Sequence, residues 1–252
     1  PMAEAVRAQN ERGVRLSLIP AVELSAGADG RTHILGYGVR AGSQPLAEAI
    51  VALRRQREAR GERMVAALAE LGVHVPPELI PKAAPTGMTI GRPHIARALI
   101  RMGLVSTVEQ AFARYLGEGR PAYVPLVHLT ATQAVTILRQ SGAVPVLAHP
   151  ARLRMPPQMV EALVETHMAV GLMGVEVYHP SASRGDLRQL LAMARRHGLL
   201  VTGGSDYHGD AGSRAKLGGV PAGWHTSAAD VAALQAAIAE AGGASGDLEP
   251  TA

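Results

Sequence analysis

The chain has 252 residues, 47% hydrophobic and 18% charged, with a mean hydropathy of +0.10; this balance fits one substantial core, or a main domain with a smaller insert, and excludes a disordered chain. It has no cysteine, which excludes disulfides, zinc ribbons and thiol catalysis, so any metal must be held by His, Asp and Glu. The net charge is +4 and nearly all the positive charge is arginine, which suits phosphate recognition and equally reflects codon usage, while 3% aromatic content gives little support to a stacking platform for single-stranded nucleic acid.

The opening PMAEAVRAQNERG reads as the tail of a helix ending at Gly13, without the basic-then-apolar start of a signal peptide. No run approaches the ~18 apolar residues of a membrane span. Leu16, Leu18 and Val22 predict a strand ending at Glu23; AGADGR is a turn, and THILGYGV a second strand. Residues 45–71 read as one long helix with Leu46, Ile50, Leu53, Met64, Leu68 and Leu71 on one stripe, closed by Gly72 and Pro76-Pro77. A helix opens near Pro93 and ends at Gly103. Ser106-x-x-Glu109 predicts a capping box ahead of Val108, Phe112 and Tyr115.

After Tyr123 strands and helices alternate. Thr130-x-x-Gln133 caps a helix ending at Gly142, and AVPVLAHP is a buried strand ending at His149. Helices are predicted at 156–170, 183–197 and 227–241; MGVEVYHP is a strand through Glu176, and LLVTGGSDYHG a strand running into a loop. That alternation implies βα units around a parallel sheet or barrel, and an α/β fold class.

In βα folds, reactive groups sit at the carboxyl ends of strands. Glu23, His33, His149, Asp206 and His208 are assigned to such ends, and a His/Asp/Glu set favours Zn, Mn or Fe, with the oxygen share tilting towards Mn. Asp206-x-His208 has the strongest local case, because Gly203, Gly204 and Gly209 let the backbone turn sharply. Glu176 reads as a structural carboxylate and His179 as a loop residue. His74, His128, His167, His197 and His225 read as solvated. Gly91-Arg92-Pro93-His94 opens a helix whose free amides, with Arg92 and His94, form an anion seat or an ordinary helix start. The run Arg54, Arg55, Arg57, Arg60 and Arg63, interleaved with Glu58 and Glu62, reads as a solvated face.

In order along the chain, IPAVELS, THILGYG, GRPHIARAL, YLGEGRPAYVP, VLAHP, GVEVYHPS and GSDYHG resemble the polymerase and histidinol phosphatase (PHP) domain family. The resembling branch contains nucleoside 3′,5′-bisphosphate phosphatases and a 5′-to-3′ RNA exonuclease. The resemblance implies a distorted (β/α)7 barrel, divalent metal ions (Mn2+, with Zn2+ or Fe2+ as alternatives) and hydrolysis of phosphate esters by a metal-bound water. It implies metal ligation by Glu23, His33, His149, Asp206 and His208, and substrate phosphate binding near Arg92 and His94. The family's opening motifs, DLHxHTxxSDG and a strand ending in TDHD, are not in this sequence.

The expectation is therefore an incomplete barrel. Residues 1–42 are its first, amino-terminally truncated part, 43–120 an all-helical insert, 121–241 its second part and 242–252 a disordered tail. The expected substrate is a nucleotide or short RNA, in the cytoplasm, away from membranes and with no protein partner inferable. The alternatives are a non-catalytic remnant or binding protein, and an amidohydrolase-like metal hydrolase. The latter commonly carries a strand-end lysine, whereas neither Lys82 nor Lys216 is assigned to a strand end.

Overall fold

A computed structural model describes residues 18–80, 91–208, 215–221 and 223–244. The chain divides into two compact units, Pro1–Ala47 with His128–Ala252, and Glu48–Val127. The first is built on a five-stranded mixed sheet: β1 Ala21–Ala26, β2 Thr32–Tyr37, β3 Val144–Leu147, β4 Gly174–Tyr178 and β5 Leu200–Gly203, in that spatial order. The pairs β1–β2 and β2–β3 are antiparallel, and β3–β4 and β4–β5 are parallel. Seven α-helices lie among the described residues: α1 Gln44–Glu70, α2 Arg92–Arg101, α3 Val108–Ala111, α4 Ala131–Gln140, α5 Pro157–Met168, α6 Arg184–His197 and α7 Ala228–Glu240. The fold class is mixed α/β.

The first strand differs from its sequence reading. It runs to Ala26, three residues beyond Glu23, and Leu18 lies before it in irregular backbone; Leu16 falls outside the described residues. The cause is the hairpin. Gly27 and Gly30 take φ of 85° and 68°, Gly30 N–H donates to Gly27 O, and Arg31 N–H donates to Asp29, so the chain reverses within AGADGR. Pairing then runs from Ala26↔Thr32 to Ala21↔Tyr37. Consequently Glu23 lies inside a strand and His33 near the start of one, not at strand carboxyl ends. The turn-back brings them to the same end of the sheet.

Alternation decides what each face of the hairpin does. Leu24, Ala26 and Ile34 are buried, while Glu23, Ser25 and His33 stay partly open. Leu138 of α4 packs so closely on Gly36 that a Cβ there would lie 2.4 Å from it. Val144 and Val146 pack with Leu234, Ala237 and Ile238 of α7, giving that unit a core of short branched side chains. β3 and β4 are buried along almost their whole length, as expected of central strands. Past α7, Gly243 N–H donates to Ile238 O and Ala244 N–H to Gly38 O; the rest of the tail, 245–252, lies outside the described residues.

The second unit is helical. Met64 and Leu68 of α1 pack with Ile95 and Leu99 of α2 and with Tyr115 and Leu116. Helix α1 stops one residue before Leu71, which is 47% exposed and drops off the predicted stripe. Gly72 takes φ 78°, Gly72 N–H donates to Ala69 O and Val73 N–H to Leu68 O, the double bond of a Schellman ending. The cap of α3 is Thr107, whose hydroxyl accepts from Gln110 N–H, rather than Ser106. Gln110 Oε1 accepts from Ser106 N–H, the residue before the cap, so the cap is shifted by one residue and the reciprocal box does not form. No helix among the described residues is long and apolar enough to cross a membrane.

Candidate metal centre

The hairpin register sets Glu23 opposite Leu35 and Ser25 opposite His33, so Glu23 and His33 are diagonal neighbours on one face. Their side chains meet: Glu23 Oε1 lies 2.5 Å from His33 Nδ1. β3 runs antiparallel beside β2, with Leu147 opposite Ile34, and Ala148 N–H donates to His33 O. The next residue, His149, therefore arrives beside His33, ring centroids 5.0 Å apart, with its Nε2 3.1 Å from the same Glu23 Oε1. Three donors from three sequence segments converge within 4.8 Å.

Asp206 and His208 follow β5. The glycines before them are small for a reason the sequence did not show. A Cβ on Gly203 would lie 2.6 Å from the Tyr178 side chain, and one on Gly204 2.8 Å from Glu176 Oε1. The sharp turn is at Asp206 itself, with φ 55°, while Gly209 falls outside the described residues. Asp206 Oδ2 accepts from Arg152 at 2.6 Å, and His208 Nδ1 lies 2.8 Å from Asp206 O. Glu23, Asp206 and His208 form a second group of converging donors, so Glu23 belongs to both. All five sequence-assigned residues thus come together.

Hydrogen bonds from His149 and then His33 hold the Glu23 carboxyl well below the usual carboxylate range, and the bond to Glu23 raises His33. A carboxylate drawing two imidazoles around one oxygen is what a chelating set does when protons stand where a cation would. The donors are nitrogen and oxygen only, and His149 Nδ1 is buried without a hydrogen-bond partner among the described residues. The residues fit a divalent ion. A cavity of about 590 Å³ is lined by His33, His149, Arg31, Arg152, Arg154 and Ser181, among others. Three arginines in one wall favour an anion.

Two residues set aside in the sequence reading flank this centre. Glu176 is 6% exposed, and its Oε2 accepts from His149 N–H at 2.8 Å. Burial raises its carboxyl to about 7. His149 has φ 27°, uncommon for a residue with a Cβ, and Glu176 ties that backbone down. His179 is 4% exposed, with its ring 5.3 Å from that of His149, and burial lowers it to about 4. The signal that could have found both was GVEVYH itself, a carboxylate within an otherwise apolar strand and an imidazole directly after it. Among the histidines read as solvated, His74 and His225 are exposed. His167 is buried with its Nδ1 bonded to Leu163 O, His197 bonds Glu161, and the His128 ring fills the space over Gly30.

In the helical unit, Arg92 lies over Phe112 at 5.2 Å and over Tyr123 at 5.8 Å. His94 Nδ1 accepts from Gly91 N–H, so that nitrogen serves the helix start. Arg60 departs from the solvated-face reading. It is 9% exposed, its Nε donates to Val124 O at 2.7 Å, and it sits over Tyr123 at 5.9 Å. Burial, then the nearby Arg92, lower its pKa.

No protein-family model matches the chain. It is 32% identical over 208 residues to the 3′,5′-nucleoside bisphosphate phosphatase of Chromobacterium violaceum, covering 82% of this chain and 72% of that protein. It is 32% identical over 199 residues to the 5′-3′ exoribonuclease Rnm of Salmonella typhimurium, covering 78% and 67%. Among solved structures, a Bifidobacterium adolescentis protein assigned as a metal-dependent phosphoesterase superposes with a TM-score of 0.68 at 28% identity, covering 94% of this chain and 81% of that one. A Chromobacterium violaceum structure described as an amidohydrolase with bound sulfate and no metal superposes with a TM-score of 0.63 at 32% identity, covering 82% and 72%. These likenesses place the chain among the metal-dependent phosphoesterases. It belongs to the polymerase and histidinol phosphatase family, in the branch that holds the nucleoside bisphosphate phosphatase and the 5′-3′ exoribonucleases.

Proposed function

We propose that the chain hydrolyses phosphate esters of nucleotides, 3′,5′-bisphosphates or the 5′ ends of short RNA, with divalent metal, manganese in the first instance. The observation that carries this reading is Glu23, shared between two converging donor groups beside an arginine-lined cavity. Glu23, His33 and His149 would hold one ion, and Glu23, Asp206 and His208 another. When bound, such ions supply Lewis-acid neutralisation of phosphate charge and lower the pKa of water. Arg152 fixes the Asp206 carboxylate by a 2.6 Å ion pair, and Arg31 and Arg154 draw the anionic substrate to the cavity. In the helical unit, Arg92 and His94 are the residues assigned to substrate phosphate; Phe112 and Tyr123 hold the Arg92 guanidinium in place.

On this reading the sheet unit is part of a distorted (β/α)7 barrel, with residues 1–42 and 121–241 as its two parts and 43–120 as a helical insert. The substrates and the lack of cysteine suit the cytoplasm. The full chain with Mn2+ should release inorganic phosphate from adenosine 3′,5′-bisphosphate or mononucleotides from 5′-phosphorylated RNA. Release of neither would sink the substrate assignment.

The neighbour described as an amidohydrolase raises cleavage of C–N bonds as a second reading. That chemistry commonly uses a strand-end lysine; Lys216 lies in irregular backbone after β5, and Lys82 lies outside the described residues. Hydrolysis of an amide substrate at a rate above phosphate release would favour it.

A further inference from the structure

We propose that a second cavity of about 340 Å³, beside the metal centre, is a subsite for the base of the nucleotide whose phosphate the centre binds. The inference rests on the phosphoesterase reading above and adds a base-binding site to it.

The two cavities meet. Ala151 and Arg154 line both this one and the arginine-walled cavity of the centre. A ligand held at the centre and extending past Arg154 therefore enters the second cavity. Arg154 has φ 53° and ψ 34°, a left-handed backbone that a residue with a Cβ rarely takes. Among the described residues, the other non-glycine positions with positive φ are His149 and Asp206, and both are assigned to the centre. Such backbone is kept where the side chain it aims has a task.

Beyond Arg154 the lining changes character. Val160 of α5 and Leu190 and Met193 of α6 are buried apolar side chains facing the cavity. The two carboxylates of the lining are already engaged. Glu161 accepts from Arg196 at 2.7 Å, and Asp186 accepts from Ser183 N–H at the start of α6. The one charged side chain of the lining without a partner among the described residues is Arg154, at the side shared with the centre. The remaining polar side chains are the amides of Gln158 on α5 and Gln189 on α6, both exposed.

This order of groups selects the ligand. It must be anionic next to the centre and uncharged further on, with apolar area and a hydrogen-bonding edge. A nucleotide has that order: phosphate first, then a base whose faces are apolar and whose edge sets donors beside acceptors. A glutamine amide presents the complementary donor and acceptor. A second phosphate would meet the apolar lining, and an aliphatic chain would leave both amides unused. The volume lies within the ~300–1,000 Å³ of small-molecule sites.

The test uses the full chain loaded with Mn2+ and three probes, inorganic phosphate, ribose 5-phosphate and adenosine 5′-monophosphate, with affinities measured by calorimetry. Adenosine 5′-monophosphate should bind about tenfold or more tighter than ribose 5-phosphate, through burial of the base. Ala192→Phe fills the cavity from an exposed position of α6. It should abolish that advantage and leave the other two affinities within about twofold. Gln189→Ala should weaken adenosine 5′-monophosphate alone, by a few-fold, the range for one hydrogen bond; it decides the point should the larger side chain disturb α6. Equal binding of nucleotide and ribose phosphate by the wild-type chain would overturn the proposal. So would equal losses of all three probes in both variants, an advantage that neither variant moves, or no binding of any probe. A chain that cleaves bisphosphate or RNA yet shows no preference for the base would keep the phosphoesterase reading and remove this subsite. A chain with the Ala192-dependent preference that cleaves neither would do the reverse.

Discussion

In the sheet unit, charge is gathered with its opposite: Glu23 lies between His33 and His149, and Asp206 is paired with Arg152. In the helical unit, like charges are gathered instead. Arg60 and Arg92 both stand over the Tyr123 ring, and neither makes an ion pair among the described residues. The first arrangement suits a cation, which would replace the protons shared among its donors. The second holds guanidinium groups by aromatic faces and a carbonyl, which leaves their charge uncancelled for an anion. On the proposed reading, metal and phosphate binding are divided between side chains with different supports, and each support can be removed separately.

The largest expected effect is on metal. Glu23→Gln or His149→Ala should lower manganese affinity by more than about a hundredfold, beyond what outer partners of a metal site contribute. Arg92→Ala should leave it unchanged. Equilibrium dialysis of both variants checks this, and equal losses would erase the division between the units. Because His33 is raised and must lose its proton to bind metal, affinity should fall as pH drops through that raised value. Metal titrations at pH 6 and 8 show the direction.

Next in size is Glu176. Its folded carboxyl, at about 7, lies above the ordinary 4.5, so the folded metal-free chain favours the protonated form. That preference is fully present below 4.5, and it becomes a growing penalty as pH rises from 4.5 to about 7, levelling off above. Glu176→Gln keeps an acceptor for His149 N–H and cannot ionise. Its stability relative to the wild-type chain should therefore rise by roughly 3 kcal/mol between pH 4 and pH 8. Urea unfolding at the two pH values measures it, and parallel pH dependences would show that Glu176 is not buried as described.

In the helical unit, Arg60→Ala removes a buried charge-assisted bond to Val124 O and should destabilise by about 2 kcal/mol. Arg92→Ala loses aromatic contacts only and should stay within about 1 kcal/mol, while weakening phosphate release far more. If Arg60→Ala proves as mild as Arg92→Ala, the two arginines do not differ in the way their burial indicates. The smallest effect concerns α3: Thr107→Ala should cost about 1 kcal/mol and Ser106→Ala a few tenths, by thermal unfolding. The reverse order would restore the cap to Ser106.

Much of the molecule was legible in its sequence because the signals were local. Helix α1 carried its 3.6-residue stripe and its Gly72 ending, Thr130 and Gln133 formed the predicted box, and the helices α5 to α7 began and ended within two residues of expectation. The residue types of the centre were legible too, since His149 and Asp206 follow short apolar strands. What was not legible came from pairing across sequence distance. The sequence of β1 does not state that it continues through Ala26; that follows from the hairpin with β2, which also carries His33 to Glu23. Arg60 looked like its neighbours in a charged run, and only Val124, 64 residues on, distinguishes it. Glu176 and His179 looked structural or peripheral until β3 and β4 were placed side by side.

The sequence by itself determined which segments would be helices and strands, that cysteine chemistry was excluded, and which residue types could ligate metal. Propensity, caps and apolar periodicity act within a few residues, so they can be read without neighbours in space. Tertiary structure alone decided that Glu23 serves two donor groups, that Gly203 and Gly204 are small because Tyr178 and Glu176 press on them, and that His179 keeps one nitrogen for Ser181 and the other uncommitted. Those facts depend on strand register and on burial, and both are properties of the folded assembly of strands rather than of any one of them.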